Sequence, residues 1–379
     1  MKTFLNKLQI ESLHIYKQYK NNFILNILLQ IASYVFLLLY KIRFKLYQFN
    51  ILKTVKLPAY VVSIGNLTTG GTGKTPVAIE LAKYFLNLGH KVAILSRGYK
   101  ANYNHADGVL LVSDGEDIVT DYDRAGDEPY LIAKEVPKAL VLINKNRVLA
   151  GQSAIKLGAD VLILDDGFQY LKLHRDENIV LLDSYAPFDN GHLLPRGKLR
   201  ELPESLIRST AIIISNCDRK KLQNNELKIL DNYSKGLQIE KISYKLNSIS
   251  GINTKKTLTL KDIKGLKAIA CCGIGNPESF LDLLAKNEIN ILSYLAYPDH
   301  FDYKYEDIEQ MTTLAKKYNV EDIIVTSKDA IKIEDLCQAA PISFWKTNIE
   351  VVWDSLNPFN NILQKKDKLK FTSTTKSYQ

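Results

Sequence analysis

The segment Thr68-Thr69-Gly70-Gly71-Thr72-Gly73-Lys74-Thr75 packs glycines, a lysine and a terminal hydroxyl into one short run. Glycines let the backbone turn its N–H groups inward around phosphate oxygens, and a lysine at the end of such a loop reaches the β- and γ-phosphates. The adjacent threonine hydroxyl is the group that would ligate Mg²⁺. The strict phosphate-loop spacing asks for glycine five places before Gly73, where Thr68 stands instead. Taken alone, the run could be a glycine-rich turn. Its place between an apolar strand pattern and a helix opening at Pro76 favours a nucleotide site.

A second group follows at Val161-Leu-Ile-Leu-Asp165-Asp166-Gly167-Phe-Gln169. A hydrophobic strand that delivers Asp165 and Asp166 at its C-terminal end is the usual way to set a metal-binding carboxylate beside a phosphate loop. Adjacent carboxylates are costly unless a cation neutralises them. Alone, Asp-Asp-Gly after a strand reads as a turn; downstream of a phosphate loop it reads as a magnesium site. Arginine is the third signal, since only nine of 50 basic residues are Arg. A planar fork suits phosphate better than an ammonium does. Arg97 follows the second strand, and Arg196 and Arg200 sit in Leu194-Pro-Arg-Gly-Lys-Leu-Arg-Glu201. Together they point to a second anionic substrate.

These groups need a scaffold of buried strands. Apolar runs predict strands at 60–64, 91–95, 139–143, 160–164, 178–182, 211–215, 266–271, 291–295 and 322–326, with helical stretches between them. That alternation predicts an α/β fold with a P-loop NTPase-like parallel sheet core, a second, smaller α/β domain, and ligands at the C-terminal ends of the strands. At 379 residues, two domains are expected at roughly 150 residues each. The core is expected over 51–216, the smaller domain over 217–345, and a partly disordered tail over 346–379. The polar stretch 217–262 is the expected domain change. With 46% hydrophobic and 24% charged residues the chain is not a disordered one. Four cysteines without a C-x-x-C spacing suggest neither a zinc site nor a disulfide framework.

The net charge of +9 is concentrated at one end. Residues 1–60 hold nine Lys/Arg against Glu11 alone, whereas the other 319 residues hold 41 basic and 40 acidic residues. A nucleic-acid-binding face on the main body is thereby disfavoured. Within this basic segment, residues 23–40 form an apolar run of 18, slightly short of the about 20 that span a bilayer. Asn26, Gln30 and Ser33 form one polar stripe along it, and Lys41, Arg43 and Lys45 follow. Residues 1–50 are therefore expected to form a basic membrane helix, lying in the interface or spanning it. No obligate protein partner is evident.

The ordered set of Gly65-Asn-Leu-Thr-Thr-Gly-Gly-Thr-Gly-Lys-Thr-Pro76, Ser96-Arg-Gly-Tyr99, Ala125-Gly-Asp-Glu-Pro129, Asp165-Asp-Gly-Phe-Gln169, Leu199-Arg-Glu201, Pro298-Asp-His300 and Val325-Thr-Ser-Lys-Asp-Ala330 resembles the motifs of the tetraacyldisaccharide 4'-kinases. The resemblance spans roughly residues 55–335. It implies an ATP- and Mg²⁺-dependent enzyme of lipid A biosynthesis in Gram-negative bacteria, working at the cytoplasmic face of the inner membrane. The anionic glycolipid tetraacyldisaccharide 1-phosphate would receive the γ-phosphate of ATP on its 4'-hydroxyl, giving lipid IVA. Thr68–Thr75 would bind ATP; Thr75, Asp165, Asp166 and Glu201 would hold Mg²⁺, directly or through water. Asp127 would be the base, His300 would pair with it from the second domain, and Arg97, Arg147, Gln169 and Arg200 would meet the head group. Two motifs depart from the family pattern: Tyr170 replaces a usual histidine, and Arg196 and Lys198 add two cations.

Two other classes compete with a lipid kinase. A deviant P-loop ATPase or GTPase, such as a metal-centre maturation factor, would need a guanine-recognition Asn-Lys-x-Asp or a metal-donating Cys/His cluster, and neither is present. A membrane-anchored structural module would have no reason to keep Lys74, Thr75, Asp165 and Glu201 together. On the plainest reading, Asp127 would be a helix cap and His300 a surface histidine.

Overall fold

Val61 and Val62 sit in the first of the expected strands, and that strand is buried along its whole length, as an apolar run covered on both faces must be. In the computed structural model, which describes residues 23–363, the chain begins with α1 (Phe23–Gln48) and continues through β1 (Tyr60–Asn66), α2 (Lys74–Asn87), β2 (Val92–Ser96) and β3 (Leu110–Asp114). There follow α3 (Tyr122–Ala125), α4 (Asp127–Glu135), β4 (Leu140–Ile143), α5 (Arg147–Lys156), β5 (Val161–Asp165), β6 (Glu177–Asp183) and β7 (Ala211–Ser215). The rest comprises α6 (Asn224–Tyr233), β8 (Gln238–Gly251), β9 (Thr257–Thr259), β10 (Lys267–Cys272), α7 (Pro277–Lys286) and β11 (Asn290–Ala296). The last elements are α8 (Tyr305–Lys317), β12 (Asp322–Val325), α9 (Ser327–Ile333), β13 (Ser343–Trp353) and α10 (Pro358–Ile362).

All nine expected strands are present. They belong to one continuous sheet, ordered β11-β10-β12-β13-β8-β7-β6-β1-β5-β2-β4-β3. From β7 to β4 every pairing is parallel, and β3 closes that edge antiparallel. β1 pairs with β5 in the register Ile64↔Asp165, which sets the carboxylates after β5 beside the loop after β1.

Two expected boundaries are corrected. The polar stretch 217–262 contains α6 and the long strand β8, which runs parallel to β7 at Gln238–Lys241 and then antiparallel to β13. The two halves of the sheet therefore share a strand. The expected tail from 346 begins inside β13, and α10 returns to the N-terminal half, where Phe359 and Ile362 are buried with Phe85. Polar composition misled because β8 and β13 each keep one face toward solvent over much of their length. The lysines within residues 1–22 and the tail from Lys365 lie outside the described residues.

α1 is longer than the apolar run that announced it, at 26 residues, or roughly 39 Å at 1.5 Å per residue. It is the one helix among the described residues long and apolar enough to cross a membrane. Its polar stripe faces protein. Ser33 donates to Leu193 O at 2.9 Å, Arg196 pairs with Gln30, and Tyr40 donates to Glu201 at 2.9 Å. Arg196, one of the two cations foreign to the family pattern, thus serves to dock this helix. The opposite face, with Ile24, Ile27, Leu28, Ile31, Val35 and Leu38, is exposed at helical spacing.

Candidate functional site

The loop after β1 is pinned from several sides. Asn66 Nδ2 donates to Thr72 Oγ1 at 3.0 Å, Ser215 Oγ donates to Thr72 O at 3.0 Å, and Thr69 N donates to Lys198 O at 2.8 Å. Gly73 caps α2 with φ of +85°, and a Cβ placed there would lie 1.7 Å from Tyr244 Oη. Space is left instead at Gly70 and Gly71, where a Cβ would meet nothing within 4 Å. Gly73→Ala is accordingly expected to abolish tight ATP binding by isothermal titration, because backbone strain and the Tyr244 contact both force the loop open. Unchanged affinity would remove this loop from the nucleotide site.

Between the two halves lies a cavity of about 670 Å³. From the N-terminal half it is lined by Thr69–Thr75, Arg97, Glu128, Asp165, Asp166 and Arg200. Gly275, Asp299, His300 and Lys328 line it from the C-terminal half. Asp165 is 3% exposed, and its Oδ1 is buried without a hydrogen-bond partner among the described residues. Burial first, then the charges of Glu128 and Asp166, raise its pKa. An orphaned, electrostatically crowded carboxylate oxygen in a cavity that Thr75 also lines fits a divalent cation. Asp166 differs. Burial opposes its charge, but Lys74 at 3.6 Å and a bidentate Arg200 at 2.8 Å outweigh that and hold its carboxyl below the usual range.

Asp127 and His300 are 173 residues apart and meet at 3.0 Å, Oδ2 to Nδ1. Tyr122 donates to Asp127 Oδ1 at 2.9 Å and Lys332 Nζ lies 2.8 Å from Oδ2. Burial raises the pKa of Asp127, but the His300 hydrogen bond and the Lys332 charge outweigh it and keep the group ionised well below the ordinary range. Lys328 Nζ stands 3.2 Å from His300 Nε2. An ammonium only donates, so Nε2 holds the lone pair and Nδ1 carries the proton toward Asp127. Neither plain reading survives: the helix cap is Gly126, and the His300 side chain is 13% exposed.

Other expected positions stand differently. Thr68 is buried in a bridge with Leu199, beneath the loop rather than in it. Glu201, expected near Mg²⁺, is 2% exposed and bound to Arg208 and Tyr40, outside the cavity wall. Arg147 is 3% exposed; its guanidinium donates to the backbone of Asn144 and Asp165 and stacks over Tyr170. Gln169 turns its amide to Asn66 O at 2.9 Å. Arg147 and Gln169 therefore brace the strand ends instead of facing the cavity. Tyr170, in place of the usual histidine, accepts from Arg147 N at 3.0 Å and lies outside the cavity wall too. Lys328 stands in the Val325–Ala330 motif without an expected role, and nothing singles out Lys332 in a chain with 41 lysines. Their spacing of four on α9 was the available signal.

Comparison with known proteins gives a consistent answer. A family model described as "LpxK: Tetraacyldisaccharide-1-P 4'-kinase" matches residues 25–368. The tetraacyldisaccharide 4'-kinase of Syntrophus aciditrophicus (strain SB) is 38% identical over 331 residues, covering 84% of this chain and 88% of that protein. The enzyme of the same name from Desulfatibacillum aliphaticivorans is 36% identical over 347 residues, covering 89% and 92%. Among solved structures, the "apo" form LpxK from Aquifex aeolicus in complex with ATP is similar with a TM-score of 0.71, at 30% identity, over 89% of this chain and 98% of that one.

Proposed function

This chain belongs to the tetraacyldisaccharide 4'-kinase family, and from that premise we propose how its residues divide the work. It is an ATP-dependent lipid kinase that moves the γ-phosphate of ATP to the 4'-hydroxyl of tetraacyldisaccharide 1-phosphate, forming lipid IVA in lipid A biosynthesis. The backbone amides of Thr69–Gly73 cradle the phosphates, and Lys74 bridges the β- and γ-oxygens. Thr75 and Asp165 would hold Mg²⁺, which when bound neutralises charge on those oxygens. Asp166, already engaged by Lys74 and Arg200, sets the orientation of both cations. Arg97 and Arg200 line the cavity and meet the anionic glycolipid.

The base is the dyad. Of its two members His300 lines the cavity and Asp127 does not, and on that ground we assign proton acceptance to His300 rather than to Asp127, the base expected from the sequence. His300 Nε2 takes the proton of the 4'-hydroxyl while Asp127 holds the tautomer and the ring orientation. This reading is supported by one observation: the phosphate loop and His300 line the same cavity from opposite halves of the sheet. Phosphoryl transfer needs charge neutralisation and in-line positioning more than covalent help, and a cavity closed from both sides supplies them. Transfer of label from γ-³²P-ATP to tetraacyldisaccharide 1-phosphate in detergent tests it. ATP binding without lipid labelling would overturn the substrate assignment.

The exposed face of α1 is proposed to enter the cytoplasmic face of the inner membrane, with Lys41 and Lys45 at the anionic head groups. Deleting the whole segment would also uncover Glu201 and Ser205, both bound by Tyr40, so point changes are the cleaner test. Ile31→Glu with Leu38→Glu is expected to release the protein from anionic vesicles at unchanged ATP affinity. Retained vesicle binding would send the apolar face elsewhere.

A further inference from the structure

We infer that Lys332 is a positioning residue for this reaction: its ammonium shares the Asp127 carboxylate oxygen with His300, disfavours an imidazolium there, and so leaves the ring able to accept a proton. The inference rests on the dyad reading above. Lys332 comes from α9 in the C-terminal half, and Asp127 opens α4 in the N-terminal half. The lysine side chain is 2% exposed and its Nζ reaches Asp127 Oδ2 at 2.8 Å, Phe301 O at 3.2 Å and Asp329 Oδ1 at 3.9 Å. A charge taken that far from water persists only when paired, and its nearest carboxylate belongs to the other half of the molecule. Lys328 lies one helical turn earlier, on the same face of α9, and reaches His300 Nε2. One short helix thus contacts both members of the dyad.

The groups around Asp127 define the electrostatics. Tyr122 from α3 donates to Oδ1, while His300 and Lys332 share Oδ2. Lys100 donates to His300 O at 2.8 Å and feels the charges of Asp127, Asp299 and Asp302. Glu128 and Asp299 flank His300 Nε2 at 4.0 and 3.9 Å, and both pair with Lys328. With Lys332 in place, a second positive charge on His300 would have to share one carboxylate oxygen with an ammonium. Two like charges drawn to one carboxylate oxygen repel, so the arrangement disfavours an imidazolium. Without Lys332, Asp127 would face His300 alone, and the imidazolium–carboxylate pair would be favoured. An imidazolium cannot take the proton of the sugar hydroxyl. The base works deprotonated, so kcat rises with pH as His300 loses its proton, and removing Lys332 must move that rise to higher pH.

The test measures kcat, KM for each substrate and thermal midpoint across the neutral range for the full-length enzyme and for Lys332→Met, Lys332→Gln and Lys332→Arg. Met and Gln are expected to lose about tenfold in kcat near neutral pH, with the rising limb moved up by about one pH unit and KM for ATP unchanged. Activity should recover at alkaline pH, and Arg, which keeps the charge, should restore most of it at neutral pH. Gln keeps a hydrogen-bond donor for Asp127, so it reports on charge even if Met does not fold. A lowered thermal midpoint with an unmoved pH profile in Lys332→Gln would overturn the inference and leave Lys332 as a clamp between the halves. Full turnover in His300→Ala would instead remove the dyad reading beneath it.

Discussion

Lys74→Ala is expected to lower lipid phosphorylation by about 10³-fold with the fold intact, the scale of losing a preorganised charge on a developing anion. The side chain lies in the cavity, 16% exposed, and its nearest carboxylate is Asp166 at 3.6 Å. Removing it does not strand that carboxylate, because Arg200 keeps both of its bonds to Asp166 at 2.8 Å. Stability should therefore change little while the β- and γ-phosphates lose their ammonium. Label transfer and thermal midpoint measured on the same preparation check this. Near-normal labelling of lipid would mean that the loop does not carry the reaction, whatever it binds.

The second large effect belongs to the dyad. His300→Ala and Asp127→Ala should each lower kcat by about 10²–10⁴-fold with ATP affinity retained. Their double mutant should fall far short of the product of the two losses, because they act as one unit. The two single changes differ in stability. Asp127→Ala leaves Lys332 buried without its partner, which costs about 3–5 kcal/mol when a buried pair is broken from one side. His300→Ala leaves Asp127 still bonded to Tyr122 and Lys332, so its thermal midpoint should stay closer to that of the parent. An Asp127→Ala enzyme that is less stable yet equally fast would make Asp127 purely structural. Comparable stability for the two would mean that the Lys332 contact is not made in solution.

Gly126-Asp-Glu-Pro129 and Pro298-Asp-His300 identify both residues but carry nothing about which of them a cavity will reach. Tyr122, five residues before Asp127, takes one carboxylate oxygen, and Lys332, some two hundred residues after it, takes part of the other. Of the two, only His300 lines the cavity. Packing likewise places Glu201 outside the cavity wall. It is adjacent to Arg200, but the chain bends at both residues and their side chains meet different partners. Arg200 meets Asp166, while Glu201 meets Arg208 and Tyr40 behind the wall.

The amino-acid pattern alone determined the nine strands, eight of them with buried residues, the phosphate loop, the Asp165–Asp166 pair and the apolar helix. Each depends on interactions within a few residues or on how much apolar surface a run must bury. Glycine spacing dictates a loop and continuous apolar runs dictate central strands, whatever lies elsewhere. Tertiary structure decided the rest. It joined both halves through β8, whose mixed burial hid it from a composition reading, and it turned the polar stripe of α1 onto the loop at 193–205 instead of onto lipid. It also chose, among many lysines, the two on α9 that reach His300 and Asp127. A buried charge is set by whichever partner the fold brings within about 3 Å, and no spacing along the chain encodes that distance.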